Sequence, residues 1–435
     1  MGVPTGSLSG VKPAIDAVRA LGFEPVFAFT NAFVRSYFGQ NSDWIYQELV
    51  RLNITVYAAD TIEDIIHYVT PITPMIAGVM SFNDVRLFHA CHIAHILQVP
   101  GPEHEVILLK DKGKVAAAIP EYSPDTLTFL RSEANSPATQ KHLQAFHQKH
   151  PELMFKPALS TGSEGNFISE SPDFIGNLSE AIDDHAKEMD FIDDEHWLAQ
   201  QCIKNPYIYS VEGYVCQSAV HILGFSHREE TGLVKGKPNN MIASSVFIPS
   251  LSIRQTVQEA IARLFNRMDY TNGYFHIEYI DKDGKIYIID ANCGRLGGQC
   301  VVPVLATAYG IESQTIYEHN IGLTLFPESP QLISPFAEKA DAPNLFQTLE
   351  DHHSSGQLMR ECIDQPLFFH TRGTVNYVKP LIQHIRGEEW SCHIQSTYDV
   401  DDTLRLSIDN SLYLTAEQSW ERLFICNYSA FVSVS

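Results

Sequence analysis

Apolar positions in the first hundred residues fall into two alternating periods, one near three to four and one of two. Ile15, Val18 and Leu21 recur at helical spacing behind Pro13, which sits where a first turn tolerates proline, and Gly22 closes the run. Val26 to Phe29 reads as a short apolar strand. A helix from Trp44 to Leu52 feeds a strand at Ile54 to Tyr57, and Ile62 to Val69 returns to helical spacing. Ile76 to Met80 has the look of a buried strand, with a helix from Asp84 to Leu97 after it. Alternation of this kind predicts an α/β domain built on an open, mostly parallel sheet. The chain opens on a Gly/Pro/Ser-rich loop, with no apolar strand ahead of it.

Val99-Pro100-Gly101-Pro102 breaks both periods and marks a boundary near residue 100. Beyond it comes a basic cluster, Lys110 to Lys114. A strand ends at Phe155-Lys156-Pro157 and runs into Ser160 to Asn166, and strands and loops fill Trp197 to Ile248. A strongly periodic helix spans Arg254 to Met268, with Val257, Ala260, Ile261, Leu264, Phe265 and Met268 on one stripe. A hairpin follows. The Pro-rich stretch from Pro327 to Pro343 resembles a linker, and short apolar runs alternate with turns after it. The expected organisation is an N-terminal α/β domain (1–100), a central domain (101–328) and a small C-terminal domain (329–435). No internal repeat or low-complexity segment is visible.

Composition narrows the function. Of 435 residues, 44% are hydrophobic and 19% charged, which is a globular balance. The formal net charge of -22 argues against nucleic acid, which calls for a basic footprint, and against anionic membrane surfaces. No apolar run approaches the roughly 20 residues of a membrane span. Cys91, Cys202, Cys216, Cys293, Cys300, Cys362, Cys392 and Cys426 include no Cys-x-x-Cys pair. Scattered thiols and the lack of a secretory signal point to the cytoplasm.

The chemistry concentrates in the hairpin. Tyr274 to Ile280 alternates faces, so His276 and Glu278 share one side, while Asp290 and Asn292 share a face of the returning strand, Ile286 to Asn292. Asp281-Lys282-Asp283-Gly284 is a turn sequence. A three-residue loop, Asp283 to Lys285, would set Lys282 opposite Ile286, Glu278 opposite Asp290 and His276 opposite Asn292. Opposed like charges destabilise a hairpin. Two facing carboxylates beside an amide make sense around a hard cation such as magnesium.

These residues carry a resemblance. His276-Ile277-Glu278, Ile289-Asp290-Ala291-Asn292 and Arg295-Leu296-Gly297-Gly298 resemble the closing motif of the ATP-grasp superfamily. The resemblance implies that Glu278, Asp290 and Asn292 hold magnesium (or manganese) against ATP, and that Arg295, with Glu278, serves catalysis at phosphate or acyl phosphate. Lys110-Asp111-Lys112 resembles the element whose lysine touches phosphate, here Lys112. Lys156-Pro157 with Gly162-Ser163-Glu164-Gly165-Asn166 resembles the second lysine and the glycine-rich cover over ATP, drawn by Gly162, Ser163 and Gly165. Lysine suits phosphate as a mobile point charge, and glycines let backbone N–H groups approach the anion. Gln201, Ile203 and Glu212 would fall in the hinge strand behind the adenine and its successor. The Ser-Val-Glu-Gly element looks most like ligases that join an amino acid to an amine, such as bacterial dipeptide synthetases and carnosine synthase.

The pattern departs in places. Gln201 and Ile208 stand where glutamates are usual, Asp290 is one methylene short, and two residues, Cys293 and Gly294, separate Asn292 from Arg295 where one is usual. His227, Arg228 and His276 are candidates for facing substrate. His89, His92 and His95 read as a solvated helix face in preference to a metal site. Gly6 to Lys12 lacks the Lys-Ser/Thr of a phosphate-binding loop and is expected to line the substrate cleft. The implied fold is α/β of ATP-grasp type (α+β in the grasp itself): an open N-terminal sheet, a two-lobed ATP-grasp domain and the small C-terminal domain. The implied activity is ATP-dependent ligation of a carboxylate to an amine. A non-catalytic ATP-binding regulator and a kinase-like enzyme stand as alternatives. The candidate partners are small-molecule carboxylate and amine substrates, with a homodimer as the candidate assembly.

Overall fold

The computed structural model describes residues 8–32, 34, 46, 49–82, 86–160, 165–169, 176–186, 195–205, 207–229, 241–242, 245–246, 249–297, 302, 305–306, 309, 311–329, 332–336, 368–371 and 406–407. The expectations for Gly162, Ser163 and nearly all of the C-terminal domain fall outside these residues.

Helix α1 (Leu8–Ala20) starts before Pro13 and runs through it, so Pro13 is an interior residue and not a first-turn one. The expected cleft loop at Gly6 to Lys12 has become helix by Leu8. Gly22, at φ +83°, takes the chain out of the helix. Strands β1 (Val26–Thr30) and β2 (Thr55–Ala59) pair in parallel, and α2 (Ile62–Val69) starts at Thr61, whose hydroxyl accepts from Asp64 N–H.

The strand expected at Ile76 to Met80 does not form. Val79 N–H donates to Pro100 O at 2.8 Å, outside any ladder, and a side chain at Gly78 would strike Leu325. Between this segment and β1 lies a cavity of about 350 Å³, walled by Ala28, Phe29, Ile65, Val79 and Ile93. Helix α3 (Leu87–Leu97) exposes His92 and His95 as expected, while His89 is half-buried and its imidazole lies 3.2 Å from the Arg86 guanidinium.

Two short helices, α4 (Glu105–Lys110) and α5 (Lys112–Ala118), meet at Asp111, whose carboxylate caps α5 by accepting from Gly113 and Lys114 N–H. There follow β3 (Thr126–Leu130), α6 (Pro137–Lys149), β4 (Leu153–Pro157), β5 (Phe167–Ser169), α7 (Leu178–Ala186) and β6 (His196–Gln201). The strands form an antiparallel sheet in the order β3-β6-β4-β5. Phe129, Phe155, Trp197 and Ala199 bury one face against Leu143, Leu178 and Ile182 of the helices. Alternation then sends Lys156, Leu198 and Gln200 to the other face.

A second antiparallel sheet takes in β7 (Tyr207–Cys216), β8 (Ala219–Glu229), a short β10 (Ser245–Val246) just after the two-residue β9 (Met241–Ile242), and the hairpin β11 (Gly273–Lys282) and β12 (Lys285–Cys293). The order is β10-β8-β7-β11-β12, with β12 at the edge. Helix α8 (Leu251–Arg267), capped by Ser250, presents the stripe read from the sequence. That stripe packs on Phe275, Ile277 and Tyr279. Helix α9 (Ser313–Leu325) lies against α1 and covers Tyr274 and Tyr214 on the opposite face of the sheet.

Within that cover His319 is buried, and its Nδ1 shares a hydrogen bond of 2.7 Å with the Tyr274 hydroxyl. Burial, helped by His221, pulls its pKa down to about 4 from the ordinary 6.5. The unfolded chain therefore takes up this proton from about pH 6.5 downward, and the folded chain only near pH 4. Stability should fall by about 3 kcal/mol as pH drops through that window. Urea unfolding at pH 7 and pH 4.5 checks this: His319→Gln should reduce the difference to the share of His89, which burial and Arg86 also pull down to about 4, and an equally steep loss in the variant would put the proton elsewhere.

Candidate functional site

The hairpin turn holds two residues, not three. Asp283 and Gly284 both take positive φ, +56° and +85°, as a type I′ turn requires, and Lys282 pairs with Lys285. That register alone would put Glu278 opposite Ile289. It would also turn Asp290 and Asn292 toward α8. A β-bulge absorbs Ile289: Tyr279 pairs with Ile288, and Glu278, the next residue back, pairs with Asp290. On β12 the core-facing residues accordingly change from Ile286 and Ile288 to Ala291 and Cys293, whereas β11 keeps Phe275, Ile277 and Tyr279 inward throughout. The bulge thus delivers both polar residues to the face of His276 and Glu278. The expected pairings of Glu278 with Asp290 and His276 with Asn292 stand, by a different route.

Three ammonium groups converge on this face. Helices α4 and α5 flank the edge strand β12, and Val106, Leu109 and Val115 lock them into its core. Lys110, at the end of α4, donates to Asn292 Oδ1 and lies 3.7 Å from Asp290 Oδ2. Lys112, at the start of α5, lies 3.3 Å from Asp290 Oδ1 and donates to Ser160 O at 3.0 Å. Lys156 reaches across from β4 to the carbonyl of the bulged Ile289, 3.4 Å away. All three are buried. Burial and then the charge of Lys112 draw the Lys156 pKa down to about 7, against the opposing pull of Asp290 and Glu278. Asn292 Nδ2 donates to Asp290 Oδ2 at 3.0 Å, fixing the amide so that its oxygen faces Lys110.

Glu212 lies one strand over. Its carboxylate accepts from His276 Nδ1 at 2.5 Å and from Gly297 N–H at 2.9 Å, and Gly297 stacks its backbone on the His276 ring. Burial opposes a charged imidazole, but Glu212 and then Glu278 outweigh it and hold His276 up at about 9. This arrangement anchors the loop that bears Arg295, whose guanidinium turns back to Leu296 O at 2.8 Å. Gly294, at φ +82°, leads the chain out of β12, and its N–H donates to Tyr274 O. Glu212 and His276, expected at nucleotide and substrate respectively, are thus joined to each other.

Strand alternation separates the hinge residues. Gln200 shares the Lys156 face and donates to Thr126 Oγ1 at 2.8 Å; Gln201 pairs with Leu153 on the opposite face. Ile203 lies in the segment joining β6 to β7, which Asn205 ties to Asp281 O. Gly165 has φ +74°, which favours glycine. The β7–β8 register pairs Arg228 with Ile208 and His227 with Tyr209. The sequence reading passed over Lys110, Ser160, Gln200 and the Ile289 carbonyl. Lys110 had a signal, two residues from Lys112 in one basic cluster; the others depend on register.

No family model matches the chain, and no curated protein matches it. Solved structures do match. An L-amino acid ligase from Bacillus licheniformis superposes with a TM-score of 0.53 at 15% identity, over 76% of this chain and 74% of that one. A biotin carboxylase from Campylobacter jejuni in a β,γ-ATP complex gives 0.55 at 16%, over 75% and 71%. The biotin carboxylase domain dimer of Hydrogenobacter thermophilus 2-oxoglutarate carboxylase, in complex with MgADP, ADP and bicarbonate, gives 0.54 at 15%, over 74% and 68%. At such identities the likeness shows the fold: this chain has the ATP-grasp fold. Among the described residues no helix is long and apolar enough to cross a membrane.

Proposed function

We propose that the chain is an ATP-dependent ligase that joins a carboxylate, that of an amino acid, to an amine through an acyl phosphate, releasing ADP and phosphate. The observation that carries this reading is the convergence of Lys112 and Lys156 on the Glu278–Asp290 pair, between two antiparallel sheets. Phosphoryl transfer needs little covalent help from a protein. It needs positioning and positive charge: Lys112 is set beside Asp290, and Lys156, drawn down to about 7, would be favoured in its charged form by a bound phosphate.

In this reading the adenine lies along the β6–β7 connection, Gln201 to Ile203, and Lys112 and Lys156 hold phosphate. Glu278 and Asp290 offer hard oxygen donors on opposed strands, a donor set that fits magnesium completed by phosphate oxygens and water. Glu278 and Asp290 are the residues that would hold it, with Asn292, whose oxygen accepts from Lys110, orienting Asp290 from beside it. Bound there, the ion supplies charge neutralisation for the transferring phosphoryl group. Arg295 steadies the acyl phosphate, and Glu212 and His276 set the position of its loop. The glycine-rich stretch ending at Gly165 shields the acyl phosphate from water. Among the described residues the cysteines form no disulfide, in keeping with a cytoplasmic location.

The test incubates the protein with ATP, magnesium and pooled amino acids, with and without hydroxylamine. ADP release together with a hydroxamate supports the ligase. A stable phosphate ester would point to a kinase-like enzyme. Tight ATP binding with neither product in any pool would instead leave a nucleotide-binding regulator.

A further inference from the structure

We propose that Lys110 fills the corner between Asp290 and Asn292 with its own ammonium, so that the nucleotide complex holds a single divalent ion, at the Glu278 side of Asp290, and no second one in that corner. The inference rests on the nucleotide-site reading above and concerns what that site can accept.

An amide side chain has a single oxygen to give a metal. In Asn292 that atom already accepts from Lys110. The same ammonium lies 3.7 Å from Asp290 Oδ2, which also accepts from Asn292 Nδ2 at 3.0 Å. Lys110, Asp290 and Asn292 therefore form a closed corner in which one positive charge faces both oxygens that a second ion would bridge. Asp290 Oδ1 points away toward Lys112, 3.3 Å distant, on the side where Glu278 stands across the hairpin. One ion between Glu278 and that side of Asp290 leaves the corner intact.

A second ion in the corner would evict the ammonium, which has little room to go. Lys110 is 5% exposed. Its helix is held by Val106 and Leu109 in the core behind β12, and the chain turns directly into α5 at Asp111, whose carboxylate is engaged in capping. An ammonium displaced from Asn292 and Asp290 would remain buried beside a divalent charge, and burying like charges together is costly.

Manganese counts the ions directly. Wild-type protein saturated with a β,γ-imido ATP analogue is titrated with Mn2+, and bound metal is followed by electron paramagnetic resonance. One ion per chain with no Mn–Mn coupling is expected. Lys110→Met should open the corner and bind two coupled ions, while Lys110→Arg, which keeps the charge, should remain at one and serves as the folded control. Two coupled ions in the wild-type complex would overturn the proposal, as would a Lys110→Met complex that still holds one. Analogue bound with two ions sinks this inference alone; failure of the analogue to bind at all, measured by calorimetry, sinks the nucleotide-site reading and this with it.

Discussion

Replacing Glu278 with glutamine is expected to cut ATP turnover about a thousandfold, ~4 kcal/mol in the barrier, while leaving the fold intact. Glutamine keeps the size of the side chain and removes only its charge. In the resting protein that charge lies opposite Asp290, where like charges weaken a hairpin, but also 3.7 Å from His276 Nε2, whose charged form it stabilises, so the two effects oppose one another. Lys112 and Lys156 offset the repulsion in part. Unfolding stability should therefore stay within about 1 kcal/mol of wild type. A residue whose loss spares stability and removes turnover is maintained for chemistry. Steady-state ADP release alongside urea denaturation separates the two effects. Turnover within a few fold of wild type would mean that the metal and phosphate assignments are wrong.

The legibility of this site in the sequence varied with its dependence on register. Facing of Glu278 and Asp290 followed from alternation within each strand plus one assumption about the loop. That assumption was wrong by one residue, and the Ile289 bulge moved the ladder by one residue in compensation. Neither event leaves a local signal: Asp-Gly suits two-residue and three-residue turns, and the bulge forms because an unbroken ladder would bury Asp290 and Asn292 against α8. Its cause is tertiary.

The helix stripe of α8 was legible because apolar spacing over seventeen residues records which side is buried. Ile76 to Met80 was misread because a short apolar run records burial without recording hydrogen-bond partners. Its Val79 N–H finds Pro100, beyond α3, and among the described residues no strand pairs with it to complete a ladder. The same limit applies to Gln200 and Gln201. Adjacent and chemically identical, they differ only in the face that each turns to, and the pairing of β4 with β6 decides that. Lys112 could be found from its motif. Lys110 shares that basic cluster, but its partner Asn292 shows only once α4 lies along the edge of β12.

Gly297→Ala is expected to lower turnover about a hundredfold with little change in the affinity for ATP. A methyl group at this position would stand 2.7 Å from Cε1 and 2.8 Å from Cγ of His276, and closer still to Nδ1. In many settings a ring swings away from such a contact. Here it is pinned, since Nδ1 holds the Glu212 carboxylate at 2.5 Å and Nε2 lies 3.7 Å from Glu278. The backbone has to give instead. Displacement of residue 297 stretches its N–H bond to Glu212 and carries Arg295, two residues back, out of line. Misplacement of a catalytic group by about 1 Å costs on the order of a hundredfold. Lys112, Lys156 and the β6–β7 connection lie on other elements, so nucleotide binding measured by calorimetry should hold while kcat falls. Gly297→Ala with unchanged kcat would show that the Arg295 loop is not positioned through His276. A parallel loss of nucleotide affinity would extend the damage to the phosphate site, against the division of labour drawn between Glu212 with His276 and the three lysines.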